Sequence, residues 1–478
     1  MQHNNTNVET ICINTRDVSD ALEHNNAPNA PKPIYGLIGL VNLQNTCYMN
    51  SAIQAFSHNY LLTNYFFNNE EEIKLILLKN AKKILQNNDA FQLENNDQLV
   101  ADIVSSSLIN KIHDDYYHPK MLTPEEEIIV LNYTMTFQLL KLLKIMWGIT
   151  NKHHIVPTSF HTLFSEARDR FFYGHQQHDA EEAYSCILQK VQEELSEEKK
   201  INFIPRKESV NEFMNFKNHI VNSLKNCTLE EKRLLIEKYN QKKIDMPEES
   251  LTIDAYREMR NYYGTCYSRV TEIFSGFLHS STNCPDNQCN YSSNKFDPFL
   301  HLALSMPNKY AFGSFFNYDN TNSQLTIEQC LKEYCRDEIL DENNLWKCSR
   351  CNNYVKAVKK LQIWRAPPVL VIALKRFSEN RMHKDTRMIT YPLEHFDIST
   401  VISQAQLHPS KCTKYRLQCV INHTGNMLGG HYYTYCLDED TGKWHEFNDQ
   451  HVHEISENKI VTNNAYILFY VREDLVNH

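Results

Sequence analysis

The sequence predicts an α+β protein in which a helix-rich first half precedes a strand-rich second half. Apolar residues between Thr46 and Phe67 recur at helical steps, and similar patterns extend to Leu195. After Ser268 the pattern changes to short segments rich in β-branched and aromatic residues, which is typical of strands. Because helices and strands are separated along the chain, repeated βαβ units are not expected.

Composition excludes several classes of protein. The 478 residues suggest roughly two to four domains or lobes, and the 42% of them that are hydrophobic are enough for one or two packed cores. Only 11 residues are glycine, which argues against collagen-like and glycine-rich phosphate-binding proteins. With 58 acidic and 49 basic residues the net charge is -9, which argues against nucleic acid as the main partner.

The sequence shows no signal for export or membrane insertion. No apolar run reaches the roughly 18–20 residues that span a bilayer, and the first residues lack the basic and apolar regions of a signal peptide. We therefore expect no membrane contact and a cytoplasmic or nuclear location, where thiols stay reduced. The 14 cysteines are then expected to be core residues, metal ligands or a nucleophile rather than disulfides.

The helix-rich half is predicted to follow a tail and to end in an insertion. Residues 1–33 are rich in Asn, Asp and His and are predicted to be a flexible tail. Helices are expected over 71–85, over Phe137–Trp147 and from about His178 to Leu195. Residues 195–262 are charged and rich in Lys and Glu, and we interpret them as a helical insertion.

Seven segments of the second half have the residue types of strands. The polar, turn-rich segment 307–326 between them is predicted to be a long mobile loop. The predicted strands are 270–284, 295–306, 355–364, 368–377, 414–423, 431–437 and 463–471.

Cys47 stands where a loop is predicted to become a helix. A thiol at a helix N-terminus feels the positive end of the helix dipole, which favours the nucleophilic thiolate. The amide of Asn42, five residues upstream, is placed to donate to a tetrahedral oxyanion. The alternative is that Cys47 is one more buried thiol, as most intracellular cysteines are.

A histidine near the C-terminus supplies the partner that a nucleophilic cysteine needs. His431 follows Gly429 and Gly430 and begins a predicted strand, and a second strand reaches Phe447. In the hairpin that these strands would form, the residue 17 positions after His431 can reach its imidazole. A Cys/His pair with an Asn or Asp that orients the ring is the thiol-protease arrangement.

These two stretches resemble the cysteine and histidine boxes of the ubiquitin-specific proteases, also called ubiquitin carboxyl-terminal hydrolases. The first box is Gly36–Ser51 and the second is His423–Tyr433. The resemblance extends from about Tyr35 to Tyr470. It includes the further motifs Gly174–Glu182 (the glutamine-rich box), Asp297–Leu300, Leu374–Phe377 and Ala465–Tyr470.

The resemblance implies a papain-like cysteine protease with a helical thumb, a β-rich palm and zinc-ribbon fingers. It places the thumb at about 34–194 and the interleaved fingers and palm at 263–472, with 195–262 as the insertion, so that 34–472 is the catalytic domain. By the same resemblance Cys47 is the nucleophile and His431 is the general base and later the general acid. Asn448 orients the imidazole, with Asp449 as a possible second contributor, and Asn42 is the oxyanion donor.

The resemblance also implies that the protein is a deubiquitinating thiol isopeptidase. It would cleave the bond after the last glycine of ubiquitin through an acyl-enzyme, without an organic cofactor. The partners would be ubiquitin and ubiquitinated proteins. Residues expected to bind substrate are Gln177, Asp179, Glu182, Gly429, Gly430 and Tyr432. For Asp179 and Glu182 the alternative is an ordinary solvated first turn of a helix, where acids are favoured anyway.

Two cysteine pairs predict a structural zinc site. Cys284 and Cys289 form the first pair, Cys348 and Cys351 form the second, and four thiolates suit tetrahedral Zn²⁺. In the resembled family such a site lies at the tip of the fingers. The first pair has four intervening residues rather than the common two, so a metal-free finger is the alternative.

Two positions depart from the family pattern. Gln44 stands three residues before the nucleophile, where the family usually has glycine, and a positive φ there would cost a glutamine about 1 kcal/mol or more. A catalytically impaired ubiquitin-binding adaptor therefore remains the alternative function. Ala183 replaces a large apolar residue after the glutamine-rich box, which predicts altered helix packing. The paired cysteines and that box argue against a general papain-like peptidase.

Overall fold

The first half of the chain folds into helices. The computed structural model describes residues 10–14, 36–86, 106–114, 116–148, 152–205, 207–225, 227–307, 324–377, 384–403, 412–426 and 429–476. The first strands are β1 (Thr10–Asn14), β2 (Gly39–Leu40) and β3 (His154–Ile155). The helices up to the predicted insertion are α1 (Cys47–Ser57), α2 (Tyr60–Asn68), α3 (Glu70–Lys79), α4 (Ala81–Gln86), α5 (Ser106–His113), α6 (Pro124–Asn132), α7 (Met135–Trp147), α8 (Thr158–Arg170) and α9 (Ala180–Glu194).

Polar side chains fix where several of these helices begin. The Asn59 side chain accepts from Leu62 N–H at the start of α2, and Thr134 accepts from Phe137 N–H at the start of α7. Thr123 and Glu126 form a reciprocal capping box on α6. Such caps satisfy N–H groups that have no partner within the helix.

The segment 195–262 contains a strand and helices that pack on the second half of the chain. They are β4 (Lys200–Ile204), α10 (Glu208–Ser223), α11 (Leu229–Asp245) and α12 (Pro247–Cys266). Helix α11 has no buried residue, whereas Met259 of α12 is buried in a cluster with Phe277 and Trp364. The insertion thus shares a hydrophobic core with strands that lie beyond it in the sequence.

Residues 10–14 depart from the predicted flexible tail, because β1 pairs in parallel with β4 along its whole length. Thr10, Ile11 and Ile13 are β-branched residues, which favour extended backbone. The rest of residues 1–33 lies outside the described part of the chain.

The second half of the chain supplies the remaining strands and two helices. The helices are α13 (Arg269–Phe274) and α14 (Ile327–Tyr334). The strands are β5 (Gly276–Asn283), β6 (Ser292–Phe299), β7 (Leu302–Ser305), β8 (Leu325–Thr326), β9 (Glu338–Ile339), β10 (Trp346–Lys347), β11 (Tyr354–Val355), β12 (Val358–Arg365), β13 (Val369–Lys375), β14 (Ile389–Thr390), β15 (Phe396–Asp397), β16 (Lys414–Asn426), β17 (Gly429–Asp438), β18 (Lys443–Asn448), β19 (His451–Ile455) and β20 (Ala465–Arg472).

Three predicted segments of this half differ in the structure. The segment 270–284 begins as α13, because the Ser268 side chain accepts from Thr271 N–H and caps a helix before β5. The segment 295–306 is split into β6 and β7. The predicted loop 307–326 ends in β8, and its residues 308–323 lie outside the described part of the chain.

One large sheet separates two hydrophobic cores. Its strand order is β19-β18-β17-β16-β20-β13-β7, with β15 beside β16. Alternate residues of β13 face opposite sides, so that Val369 and Val371 lie in the core shared with α1 and the other early helices. Leu370 and Ile372 lie in the second core, on the other face. A smaller sheet, β6-β5-β12-β9, packs against α12.

Among the helices that the structure describes, no single one is long and apolar enough to cross a membrane. Helices α6 and α7 have the length and apolar composition of a membrane span only when they are taken together, and the chain bends by 91° between them.

Candidate active site

Helix α1 begins at the predicted nucleophile, Cys47, and side chains of the preceding loop hold that start in place. Thr46 N–H donates to Asn42 Oδ1 at 2.9 Å, and Leu43 N–H donates to Thr46 Oγ1 at 2.8 Å. Every residue of α1 is buried, and Cys47 is 4% exposed. The thiol therefore lies at the positive end of a helix dipole in a largely desolvated position.

Gln44, the residue that replaces a glycine of the resembled family, has left-handed backbone. Its φ is 72°, and its side chain is exposed. A residue with a Cβ pays about 1–2 kcal/mol in this conformation, which glycine avoids. The loop before the nucleophile therefore adopts the backbone that favours glycine although the sequence supplies glutamine.

The structure brings His431 together with Cys47 and Asn448. His431 Nε2 lies 2.7 Å from Asn448 Oδ1, and the Cys47 side chain has the largest influence on the pKa of the ring. An amide oxygen only accepts, so Nε2 carries the proton and Nδ1 is left for the sulfur. The Cys47 side chain raises the pKa of His431 to about 9, against the effect of burial and with help from Asn448 and the charge of Asp449.

The Asp449 side chain holds the nucleophile loop. Its Oδ2 accepts from Asn42 Nδ2 at 2.9 Å, its Oδ1 accepts from Asn50 Nδ2 at 2.8 Å, and its carbonyl oxygen accepts from Leu40 N–H at 2.9 Å. The backbone of Asp449 is itself left-handed, with φ 49°. The Asp449 carboxylate therefore hydrogen-bonds to the predicted oxyanion donor Asn42, and its negative charge contributes to the raised pKa of His431.

Sequence reasoning did not single out Asn50 or Tyr466. Asn50 follows Cys47 by one helical turn, and a polar residue inside a helix buried on all sides is the signal that points to it. Tyr466 belongs to a motif that resembles the family, but its contact with Asp179 joins residues 287 positions apart. The local sequence does not reveal the hydrogen-bond partner of either residue, which is Asp449 for Asn50 and Asp179 for Tyr466.

Gln177 pairs with the backbone of Gly430 in both directions. Its Nε2 donates to the Gly430 carbonyl at 3.1 Å, and its Oε1 accepts from Gly430 N–H at 3.0 Å. Gly429 and Gly430 belong to β17, where they pair with Asn426 and Gly425 of β16. A Cβ on Gly430 would collide with the His423 ring, so the close approach of these strands requires glycine.

Asp179 is a bonded N-cap rather than a solvated acid. Its Oδ1 accepts from Glu181 N–H at 2.7 Å and its Oδ2 accepts from the Tyr466 hydroxyl at 2.6 Å. Burial raises the pKa of Asp179 to about 6 in spite of these bonds. Tyr432 is buried beside it, and Glu182 lies half-buried in the first turn of α9. The carboxyl group thus lies in a place where a cation would stabilise its charged form.

The four cysteines of the two predicted pairs come together at the end of the smaller sheet. Their sulfur atoms all lie within 4.8 Å of one another, with 4.0 Å between Cys284 and Cys351 and 3.6 Å between Cys289 and Cys348. Sulfurs that each lie about 2.3 Å from a tetrahedral Zn²⁺ are about 3.8 Å apart. The cluster therefore has the size and the donors of a zinc site.

Turn geometry supports this cluster. Asn290 follows Cys289 with φ 43°, and Asn352 follows Cys351 with φ 60°, so each pair ends in a left-handed residue. Asn is the residue that tolerates this conformation best after glycine. Cys330, by contrast, is buried in the second core. Within the described part of the chain, the four clustered cysteines form the one group suited to a metal ion.

Comparisons with known proteins point to one family. The family model described as "Ubiquitin carboxyl-terminal hydrolase" matches residues 38–470. The chain is 47% identical over 450 residues to "Probable ubiquitin carboxyl-terminal hydrolase R319" of Acanthamoeba polyphaga mimivirus, covering 94% of this chain and 92% of that protein. It is 27% identical to "Ubiquitin carboxyl-terminal hydrolase 2" of Homo sapiens over 92% of this chain, which spans 56% of that protein.

A solved structure confirms the predicted α+β fold. It is described as "Structure of the SAGA Ubp8/Sgf11/Sus1/Sgf73 DUB module bound to ubiquitin aldehyde". The TM-score is 0.54 at 20% identity, and the match covers 96% of this chain and 75% of that chain.

Replacing Gln44 tests the strain in the nucleophile loop. Because φ is positive, Gln44→Gly is expected to be about 1 kcal/mol more stable than Gln44→Ala, which keeps a Cβ. Urea unfolding of the two variants measures the difference in the free energy of unfolding. Equal stabilities, or a more stable alanine variant, would show that the loop is not strained at this residue.

Proposed function

The chain belongs to the ubiquitin carboxyl-terminal hydrolase family of cysteine deubiquitinases, and from this membership we propose that it hydrolyses the bond after the C-terminal glycine of ubiquitin through Cys47, His431 and Asn448. The observation that carries the proposal is the imidazole of His431, whose Nε2 lies 2.7 Å from Asn448 Oδ1 and whose pKa is raised chiefly by the Cys47 side chain. This is the geometry in which a thiol is activated and a leaving amine is protonated.

The reaction proceeds in two halves. The Cys47 sulfur bonds to the carbonyl carbon of the last glycine, and its proton resides on His431. When the tetrahedral intermediate collapses, the C–N bond breaks and the lysine amine leaves with the proton from His431. Water then attacks the thioester carbon while His431 accepts a proton from it. The C–S bond breaks, the proton passes from His431 to the sulfur, and the ubiquitin carboxyl group leaves as the carboxylate after losing its own proton to solvent.

Donors at the start of α1 stabilise the oxyanion. The first N–H groups of a helix have no intrahelical partner, so the backbone N–H of Cys47 is one such donor. The Asn42 amide has two N–H bonds, and the contact with Asp449 uses one of them and fixes the plane of the group. We assign the second N–H to the oxyanion.

The residues around Gly430 select the ubiquitin tail, which ends in two glycines. Gln177 holds the backbone of Gly430 through two hydrogen bonds, and we propose that these residues and Gly429 bind the two glycines of the tail. Asp179 supplies a carboxylate for a tail arginine, because burial leaves its charge in need of a cation. Glu182 and Tyr432 complete this proposed surface.

A ubiquitin that carries a C-terminal thiol-trapping group tests the function. The protein is expected to form a covalent adduct with it at Cys47, and Cys47→Ala is expected to form none. Intact-mass spectrometry measures the product, and Cys186→Ala is a matched control at a buried cysteine of α9 that should react as the parent does. Binding of ubiquitin without an adduct would contradict hydrolysis and favour the impaired adaptor that Gln44 raises as the alternative.

We also propose that Cys284, Cys289, Cys348 and Cys351 hold one structural Zn²⁺ that fixes the two hairpin tips together, with no part in the chemistry. Bound zinc requires thiolates, and these together with Cys47 need a reducing compartment, so we place the protein in the cytoplasm or nucleus.

Elemental analysis tests the metal site. We expect about one zinc per chain, which Cys348→Ser removes because three thiolates bind zinc much more weakly than four. Cys335→Ser, at a half-buried cysteine outside the cluster, should keep the zinc. Loss of zinc is expected to raise KM for ubiquitin more than it lowers kcat. A parent protein purified without chelators that contains no zinc would contradict the site.

The pKa of His431 predicts the alkaline limit of activity. Because the folded protein raises this pKa from 6.5 to about 9, the imidazolium that protonates the leaving amine persists up to that pH. We expect kcat/KM to stay high through pH 8 and to fall about tenfold per unit above pH 9. A fluorogenic C-terminal amide of ubiquitin measures the profile, with circular dichroism to show that the protein stays folded. An alkaline limb near pH 6.5 would contradict the raised pKa of His431.

A further inference from the structure

Glu446 lies beside the triad without belonging to it. On β18 it is the cross-strand neighbour of Tyr435 on β17 and of His453 on β19, and its side chain is 17% exposed. Glu446 Oε1 accepts from Asn448 Nδ2 at 3.4 Å, and Glu446 Oε2 lies 3.6 Å from His453 Nε2. Residues 446 and 448 share one face of the strand, because side chains alternate.

An asparagine next to a catalytic histidine has an orientation problem that an aspartate does not have. Its amide has the same shape in two orientations, which differ by exchange of Oδ1 and Nδ2. With Oδ1 towards His431, the ring carries its proton on Nε2 and leaves Nδ1 for the sulfur. With Nδ2 towards the ring, an amide donor faces the N–H of Nε2, which destabilises the protonated ring that the leaving amine needs.

A carboxylate removes this ambiguity because it only accepts hydrogen bonds. We propose that Glu446 is a positioning residue that holds Nδ2 of Asn448 and thereby turns Oδ1 towards His431. The chain of contacts runs from the Glu446 carboxylate through the Asn448 amide to the His431 ring. This inference rests on the proposed function of the triad and adds a residue to it.

The groups around Glu446 keep its carboxylate in place. Tyr435 faces it from β17, and the negative charge of Glu446 adds to the burial that raises the pKa of that hydroxyl, so Tyr435 stays neutral. His453 faces it from β19 and is a cation only when protonated. On its own strand Glu446 faces Asn448. Of these groups, the Glu446 carboxylate is the one that accepts from the Asn448 amide.

A double-mutant cycle with Asn448 tests the assignment. Glu446→Ala is expected to lower kcat about tenfold with KM unchanged, whereas Glu446→Gln keeps an accepting oxygen and retains more than half of kcat. In the Asn448→Asp background the third member is a carboxylate with no wrong orientation, so Glu446→Ala should cost no activity there. A fluorogenic C-terminal amide of ubiquitin measures both constants. Glu454→Gln, an exposed acid on β19 paired with Lys443, is the control and should be silent.

A second measurement does not depend on ubiquitin. The rate at which iodoacetamide alkylates Cys47 at pH 7, followed on the Cys47 peptide by mass spectrometry, reports the state of the Cys47–His431 pair. The alkylation rate should be lower in Glu446→Ala than in the parent. It should not be lower in the Glu446→Ala, Asn448→Asp double variant than in Asn448→Asp alone. A parent that alkylates rapidly yet fails to hydrolyse the ubiquitin amide would refute the proposed function and leave this test intact. Equal losses in both backgrounds, or no loss in either, would overturn the role of Glu446.

Discussion

The carboxylate of Asp449 is the contact on which the geometry of the site depends. It accepts from Asn42, 407 positions away, and from Asn50, 399 positions away, while its backbone carbonyl accepts from Leu40 N–H. These bonds fasten the start of α1 to the turn between β18 and β19. Because the nucleophile comes from the first fifth of the chain and the histidine from the last, this junction adds to the direct contacts between α1 and β17, such as that of Thr434 Oγ1 with the Ser51 carbonyl, in bringing them together.

The junction is strong enough to hold strained backbone. Gln44 and Asp449 both have positive φ, at about 1–2 kcal/mol each. Against this stand the two amide bonds to the carboxylate, at about 1.5–3 kcal/mol each because the acceptor is charged. The bonds are of the same order as the strain. A glutamine in place of glycine at position 44 is therefore compatible with a formed site, particularly since its side chain extends into solvent.

How much the sequence could predict depended on whether the signal was local. The helix at Cys47, the hairpin that carries His431 and Asn448, and the two cysteine pairs follow from short motifs, and the structure brings the members of each together. The sequence predicts a strand at the start of α13 because its apolar residues suit either state, whereas the Ser268 side chain caps a helix there. The Asp179–Tyr466 bond and the packing of α12 on the smaller sheet could not be predicted, because both join segments far apart in the chain.

An amide in the third position changes how the imidazolium of His431 is stabilised. An aspartate would place a full negative charge beside the ring. Here Asn448 offers only the dipole of its amide, whose Oδ1 lies 2.7 Å from His431 Nε2. The pKa of His431 nevertheless rises to about 9, chiefly through Cys47, with smaller contributions from Asn448 and from the charge of Asp449. Asp449 thus adds some negative charge near the ring, while its oxygens hold the nucleophile loop. The Asp449 carboxylate consequently has two roles, because it positions Asn42 and also favours the protonated form of His431. The two ends of the chain are therefore coupled through electrostatics as well as through packing.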